Sequence, residues 1–373
     1  GDPAVAGRVL TDYRETVSDL LLDAFTTRWE RWAQAEGADV RNQAHGSPAN
    51  ILDLYAASDM PETEGTELLR FAFATSAAHV AGKPRAAAEA VTWLDDHFLS
   101  SLGDVKTALD RYFLGGVNHI VYHGTAYSPE AAAWPGWLFY AAVHFQPTNP
   151  QWRDFGALNA YVARAQSVLQ GGRPGSDVLL YLPVHDRWGR RDPSLLVHLD
   201  GMEPFREMPV ADDAAHLLER GWAFDLVSDR QLRRASFAEG RIRTVPSPHA
   251  GAYRTVVVPD VRLLPLATLE SLLELAEAGA TVVFHGGLPD DVPGLAGLQD
   301  RRAALRAALR RLRFGPVGEG GIGRAAVGDG AVLLGDDLDA LLAAAGAARE
   351  PMVDRGLRAV RRVRPDGVDY FVV

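Results

Sequence analysis

Arg85-Ala-Ala-Ala-Glu-Ala-Val91, Asp104-Val-Lys-Thr-Ala-Leu-Asp-Arg-Tyr-Phe-Leu114 and Val117-Asn-His-Ile-Val-Tyr122 read in succession as strand, helix and strand. The outer two are short apolar runs interrupted by a side chain capable of chemistry. The segment between them is amphipathic and is closed by Gly115-Gly116. The same alternation extends to both sides. Thr11–Glu36 predicts a helix whose apolar stripe is Val17, Leu20, Leu21, Ala24, Phe25, Trp29 and Trp32, stopped by Gly37. Ala38–Gln43 predicts a short strand, Asn50–Ser58 a short helix, and Glu67–Ala81 a helix ended by Gly82-Lys-Pro84. Leu138–Phe145 predicts a last strand and Phe155–Leu169 a long helix. Strand and helix alternating over residues 11–170 is the rhythm of βα units on a parallel sheet. About four such units make half of a (β/α)8 TIM-type barrel.

The second half has the same grammar with more apolar strands. Asp177–Leu182, Ala223–Val227, Arg254–Pro259 and Ala280–Phe284 predict strands. Asp212–Arg220, Leu266–Glu277 and Asp300–Arg313 predict helices between and after them. This order suggests an open doubly wound α/β sheet of the flavodoxin or glutamine-amidotransferase type. Val368-Asp-Tyr-Phe-Val-Val373 alternates as a strand, and the sequence stops inside it. The expected organisation is therefore part of a barrel over 1–172, a doubly wound accessory domain over 173–365, and the first strand of a further β domain over 366–373. The other reading of that strand pairs it with an earlier one.

Composition narrows the chemistry. With 47% hydrophobic and 23% charged residues among 373, a core of normal size can form. No apolar run reaches the roughly 18–20 residues that span a bilayer. A net charge of −10 without a basic run excludes a nucleic-acid partner. Cysteine is absent, which removes thiolate nucleophiles, disulfides and Cys-based zinc sites, and with them amidotransferase chemistry in the second domain. Of the 38 basic residues, only Lys83 and Lys106 are lysines. Gly286-Gly287 follows a strand but lacks a phosphate-loop pattern.

The residues able to carry chemistry cluster after the strands of the first half. Arg41, Asn42, Gln43 and His45 set donors and acceptors at a strand end, which suits a many-hydroxyl ligand or a loop bonded to itself. Glu62 and Glu64, in a loop after Pro61, suit a hard cation or bulk water. Glu89 lies in an otherwise apolar strand, where an isolated carboxylate is costly. It therefore sits at the strand's open end or has partners of its own, as a catalytic acid, base or nucleophile would, or as a core glutamate paired with arginine would. His119 and His123, four apart on a strand, share a face. Hydrogen bonding to a sugar fits them better than zinc, for which a third ligand is not evident. Six of the eight tryptophans precede residue 153, and Trp134, Trp137, Tyr140 and His144 offer either an aromatic wall or core packing.

Arg41-Asn-Gln-Ala-His-Gly-Ser-Pro-Ala-Asn50, Pro61-Glu-Thr-Glu64, Ser76-Ala-Ala-His-Val-Ala-Gly-Lys-Pro84, Ala88-Glu-Ala-Val-Thr-Trp93 and Gly116-Val-Asn-His-Ile-Val-Tyr-His-Gly-Thr125 together resemble glycoside hydrolase family 106, the α-L-rhamnosidases. Trp134-Pro-Gly-Trp137 and Asn149-Pro-Gln-Trp-Arg-Asp154 continue the similarity, which is dense from about residue 10 to 190. The resemblance implies a (β/α)8 catalytic barrel with accessory domains in a longer chain. It implies an inverting hydrolase of rhamnose-containing carbohydrate that holds the sugar through calcium. Glu89 then matches the general base, and Glu62 or Glu64 the metal ligand. Asn42, His45, Trp93, His119 and His123 are the expected substrate contacts. The general acid is expected on an earlier barrel strand, upstream of Gly1, so the chain alone is expected to be inactive. An extracellular or periplasmic setting is the expectation and the cytoplasm stays open. Two other readings compete: a β-galactosidase-like barrel enzyme, and a non-catalytic carbohydrate-binding or assembly module. The oligomeric state is not encoded in any pattern seen.

Overall fold

The structure, a computed structural model, describes residues 2–93 and 97–373. Its first part runs α1 (Pro3–Leu20), a π-helical turn (Leu21–Thr26), α2 (Thr27–Ala35), β1 (Arg41–Asn42), α3 (Ile51–Ala57), β2 (Met60–Thr63), α4 (Leu68–Val80), β3 (Ala87–Ala90), α5 (Leu102–Leu114), β4 (His119–Tyr122) and α6 (Trp152–Leu169). The four strands form one parallel sheet in sequence order. Register sets Asn42 beside Pro61, Glu62 beside Ala87, and Glu89 beside Val121. Side chains alternate across a sheet. Ala88, Ala90, Ile120 and Tyr122 accordingly pack on Val105, Leu109, Phe113, Phe155 and Leu158 of α5 and α6. Helix α5 starts two residues before the expected Asp104. Ser101 is its cap: its hydroxyl accepts from the Asp104 amide while the Asp104 carboxylate accepts from the Ser101 amide.

Two expectations about this part are corrected. Met60–Thr63, expected as loop, is a fully buried strand inside the sheet. A four-residue strand containing Pro61 and flanked by Asp59 and Glu64 has no apolar signature, so burial by its neighbours decided it. Leu138–Phe145, expected as a strand, is irregular apart from a single bridge between Ala142 and Thr92. Phe139 and Tyr140 are exposed, as are Trp134 and Trp137 just before, whereas Phe145 packs on Tyr122 and Phe155.

The helix at the start is also turned over relative to expectation. Leu20, Phe25 and Trp32 of the apolar stripe are exposed, whereas Arg8, Thr11, Arg14 and Ser18 are buried. These four recur at helical spacing; Arg8, Thr11 and Arg14 face the second part of the chain, and Ser18 accepts from the Asn50 amide at 3.0 Å. Arg14 donates to the carbonyls of Trp188 (2.7 Å), Arg190 (2.8 Å), Leu195 (2.9 Å) and Ser194 (3.3 Å). Arg8 donates to Val292 O (2.6 Å), Gly294 O (3.0 Å) and the Asp291 carboxylate. Two guanidinium groups thus supply the donors that irregular loop backbone otherwise lacks.

The second part continues with β5 (Arg173–Pro174), β6 (Val178–Tyr181), α7 (Val184–Trp188), α8 (Glu203–Arg206), α9 (Pro209–Arg220), β7 (Phe224–Val227), α10 (Asp229–Leu232), β8 (Ser236–Ala238), β9 (Arg241–Arg243), β10 (Thr255–Val258), α11 (Leu266–Glu277), β11 (Thr281–His285), α12 (Leu298–Arg311), β12 (Gly323–Val327), β13 (Gly330–Gly335), α13 (Leu338–Ala344), β14 (Ala359–Arg364) and β15 (Gly367–Val372). A six-stranded sheet takes the order β12-β13-β11-β10-β6-β7, parallel except for β12 at one edge. Val178, Leu180, Val257 and Val283 point to one core, Leu179, Tyr181, Val256 and Val282 to the other. The terminal strand β15 pairs along its length with β14. That hairpin lies on α5 and α6, with Phe371 edge-on to Phe113.

The parts share their interior. Helix α4 contributes Phe71 to the core under the first sheet, Phe73, Ala74 and Ala77 to one face of the second sheet, and Val80 to the core of its other face. Nearby, Ser228 donates to the buried Asp53 carboxylate of α3 at 2.5 Å. Burial pushes the Asp53 carboxyl up to about 6, against the pull of the Ser228 hydrogen bond and Arg230. The folded state therefore holds this proton more tightly than the unfolded chain does. Stability should fall as pH rises from about 3.8 to about 6 and stay lower above that. Asp53→Asn should remove this loss, so its advantage over wild type in urea unfolding grows across that window and then levels. Parallel stability curves from pH 4 to 8 would show that Asp53 contributes no such term.

Candidate active site

The inner face of the first sheet is built by alternation. Arg41 on β1, Glu62 on β2, Glu89 on β3 and His119 on β4 all project to the side opposite α5 and α6. Gln43, Glu64 and His123 continue that face just beyond the strand ends. No residue of this face belongs to a hydrophobic core among the described residues.

Glu89 lies at its centre, with its side chain 29% exposed. One carboxylate oxygen accepts from Gln43 Nε2 at 3.0 Å, the other from Thr92 Oγ1 at 3.0 Å. Between Glu89 and Thr92 the backbone turns sharply. Val91 adopts φ +61° although it is β-branched and fully buried. Such a residue in the left-handed region is strained and persists only where its surroundings force it. Here the turn returns the Thr92 hydroxyl to the carboxylate three residues earlier. His123 completes the group: its Nδ1 lies 2.9 Å from Ala141 O and its Nε2 3.9 Å from Glu89 Oε1. A carbonyl only accepts, so Nδ1 carries the hydrogen and Nε2 is the ring atom turned toward Glu89. Both orientation and hydrogen bonding of Glu89 are thus fixed, with solvent on its open side.

Glu62 sits deeper. Arg41 Nε is 3.0 Å from Glu62 Oε2, but off the line of a hydrogen bond, so the pair is electrostatic and that oxygen is buried without a donor. Burial raises the Glu62 pKa, Arg41 opposes the rise, and the nearby charge of Glu89 adds to it. Burial, followed by the charges of Arg85 and Arg41, lowers the pKa of His119 and keeps that ring neutral.

A second group lies at the rim. Glu64 accepts from Arg70 Nη2 at 2.6 Å, and His45 Nε2 is 3.5 Å away. His45 Nδ1 is 2.5 Å from Asp200 Oδ2, which comes from the second part of the chain. The expected contacts therefore separate. Glu89, His119 and His123 share the inner face with Glu62, and His45 joins Glu64 at the rim. Asn42 accepts from the Ala44 amide at 2.9 Å and shapes the loop after β1. Trp93 donates its indole N–H to Ser100 and packs toward α5. Sequence reasoning did not single out Thr92, Arg70 or Asp200. Only Thr92 had a signal, its place three residues after Glu89 in a breaking strand.

The two expected metal ligands do not make a cation site between them. Each has an arginine on its carboxylate, Arg41 on Glu62 and Arg70 on Glu64. Among the described residues no group of three or more His, Asp or Glu is arranged to hold an ion, whereas calcium takes six to eight oxygens.

Comparison with known proteins places this geometry. A rhamnosidase from Novosphingobium sp. PP1Y superposes with a TM-score of 0.75 at 21% identity, covering 99% of this chain and 35% of that one. A β-galactosidase from Bacillus circulans sp. alkalophilus superposes with a TM-score of 0.60 at 13% identity, covering 98% of this chain and 62% of that one. At these identities the likeness is one of fold. A curated protein of Formosa agariphila, named as a candidate β-glucuronidase, is 24% identical over 300 residues, 78% of this chain and 23% of that one. The chain thus spans about a third of the rhamnosidase and under a quarter of the curated relative. The family profile described as alpha-L-rhamnosidase matches residues 1–373. The chain belongs to glycoside hydrolase family 106.

Proposed function

We propose that the protein containing this chain hydrolyses terminal α-L-rhamnosides, with Glu89 as the general base of an inverting displacement. The observation that carries the reading is the setting of Glu89: a carboxylate held by Gln43 and Thr92 on an open polar face, with His123 beside it. Two neutral donors orient the carboxylate without neutralising it. It can therefore take a proton from a water approaching on its exposed side, while His123 Nε2, beside it, helps hold that water or a sugar hydroxyl. Inversion needs a second carboxyl group about 6.5–9.5 Å away to protonate the leaving oxygen. The reading puts that acid on a barrel strand upstream of this sequence. It takes the four-stranded sheet as part of a (β/α)8 barrel and the six-stranded sheet as a flavodoxin-like, doubly wound accessory domain, as its strand order suggests.

Calcium enters no step here. Glu62 and Glu64 do not fit a resident ion as they stand, because a cation would have to displace Arg41 or Arg70. Activity lost to a strong chelator and restored by calcium would overturn this. The name of the curated relative supports a second substrate, a β-glucuronide, and paired assays with aryl α-L-rhamnoside and aryl β-glucuronide separate the two.

In the full-length protein, Glu89→Gln should lower kcat by about 10²–10⁴-fold while rhamnose binding persists. Near-normal turnover would remove Glu89 from the role. NMR of the first product should show β-L-rhamnose, and an initial α anomer would mean retention. Thr92→Val deletes a hydrogen bond to a charged group worth about 1.5–3 kcal/mol, so kcat/KM should fall roughly ten- to hundredfold with an unchanged fold.

A further inference from the structure

We infer that Asp200, carried by the second part of the chain, is a positioning residue of this site: it fixes His45 at the rim so that His45 can meet a substrate hydroxyl. The inference rests on the proposed function. Asp200 lies in the irregular segment between α7 and α8, with its side chain 3% exposed. One oxygen accepts from the Gly46 amide at 3.0 Å and lies 2.5 Å from His45 Nδ1. Its other oxygen is buried without a hydrogen bond, and His198 Nδ1 is 3.6 Å away.

The site of these bonds is a strained turn. After β1, Ala44 adopts φ +47° and Gly46 φ +74°, and a non-glycine residue pays for such a conformation. Asp200 grips this turn twice, once through the ring of His45 and once through the backbone beside it. Two groups compete for His45 Nδ1. Arg70 Nη2 is 2.7 Å from Nδ1 and also 3.4 Å from Nε2, and its two hydrogens let it serve Glu64 at 2.6 Å and Nε2 together, whereas Asp200 reaches only Nδ1. Asp200 is a buried carboxylate with one unsatisfied oxygen, so leaving its other oxygen without the imidazole N–H would be costly. The proton therefore lies on Nδ1, shared with Asp200. His45 is left with an acceptor at Nε2 on a ring that is 40% exposed, beside Glu64. An acceptor there, next to a carboxylate and a guanidinium, suits a hydroxyl that gives one hydrogen bond and receives another.

The test uses the full-length protein and an aryl α-L-rhamnoside. Asp200→Ala should raise KM about tenfold with kcat changed much less, as His45→Ala should. Asp200→Asn, which keeps an acceptor for Nδ1–H, should recover most of the loss. The double variant Asp200→Ala/His45→Ala should be no worse than about twofold below the poorer single variant. Multiplying losses, or an unchanged KM with only thermal stability reduced, would overturn the inference. If the wild-type protein hydrolyses no rhamnoside, the functional reading fails, and a crystal structure of Asp200→Asn and Asp200→Ala still decides the positioning role. The ring held by Asn but released in Ala supports it, and the ring in place in both overturns it.

Discussion

Helix α4 has no solvated face to spare, and the remainder of the molecule is arranged around that fact. Phe71, Phe73 and Val80 are each fully buried, and each lies in a different hydrophobic core. A helix that is apolar all round must be enclosed on every side. Here the first sheet encloses one side and the second sheet the others. The same helix solves a backbone problem. β7 is an edge strand, and an edge exposes unpaired amides. Ser76 of α4 accepts from the Leu226 amide at 2.8 Å, and His79 bonds Asp225, which also accepts from Tyr253. The edge is thereby closed by side chains of the neighbouring unit, and the position of the second unit relative to the first sheet follows.

That placement explains how a residue 155 positions away comes to grip a loop of the candidate site. It also shows where the chain departs from what stability alone would choose. Val91 in a left-handed conformation, Glu62 buried with an off-line ion pair, and a half-satisfied Asp200 all lie within or around one face. Each costs free energy, and the three large cores supply the surplus that tolerates them. Concentration of such costs in one place marks function more reliably than any single polar residue does.

Four strands of the second sheet were legible because both faces are covered, so Val178-Leu-Leu-Tyr181 and Thr255-Val-Val-Val258 are continuous apolar runs, whereas the glycine-bounded β12 and β13 were missed. β3 and β4 were legible as short runs bounded by glycine and proline, and Glu89 stood out against alanine. β2 was not, because one side of it is meant to hold carboxylates. The aromatic run at 138–145 misled because only its second half, Ala141–Phe145, is drawn toward a core, and it does so as irregular backbone while Leu138, Phe139 and Tyr140 stay exposed. Helix α1 was found, but with the wrong face inward. Periodicity detects apolar stripes, and it has no term for a guanidinium that is buried because carbonyls await it. Asn42 and Trp93, expected as sugar contacts, bond to the Ala44 amide and to Ser100. Asp200 carried no local signal, since its role exists only after the two units have packed.

The scarcity of lysine, which looks like compositional drift, acquires a structural meaning from α1. Segments near 188–195 and 291–294 have little regular structure, and their carbonyls converge on Arg14 and Arg8. Arg362 does the same for Gly171 and Gly172. One planar group reaches several acceptors at fixed angles, which an ammonium on a flexible stem does not. The shape of these loops is therefore written elsewhere in the sequence, up to 286 positions away. Transplanting one of them into a related protein would transfer its residues but not its conformation, unless the distant arginine travelled with it.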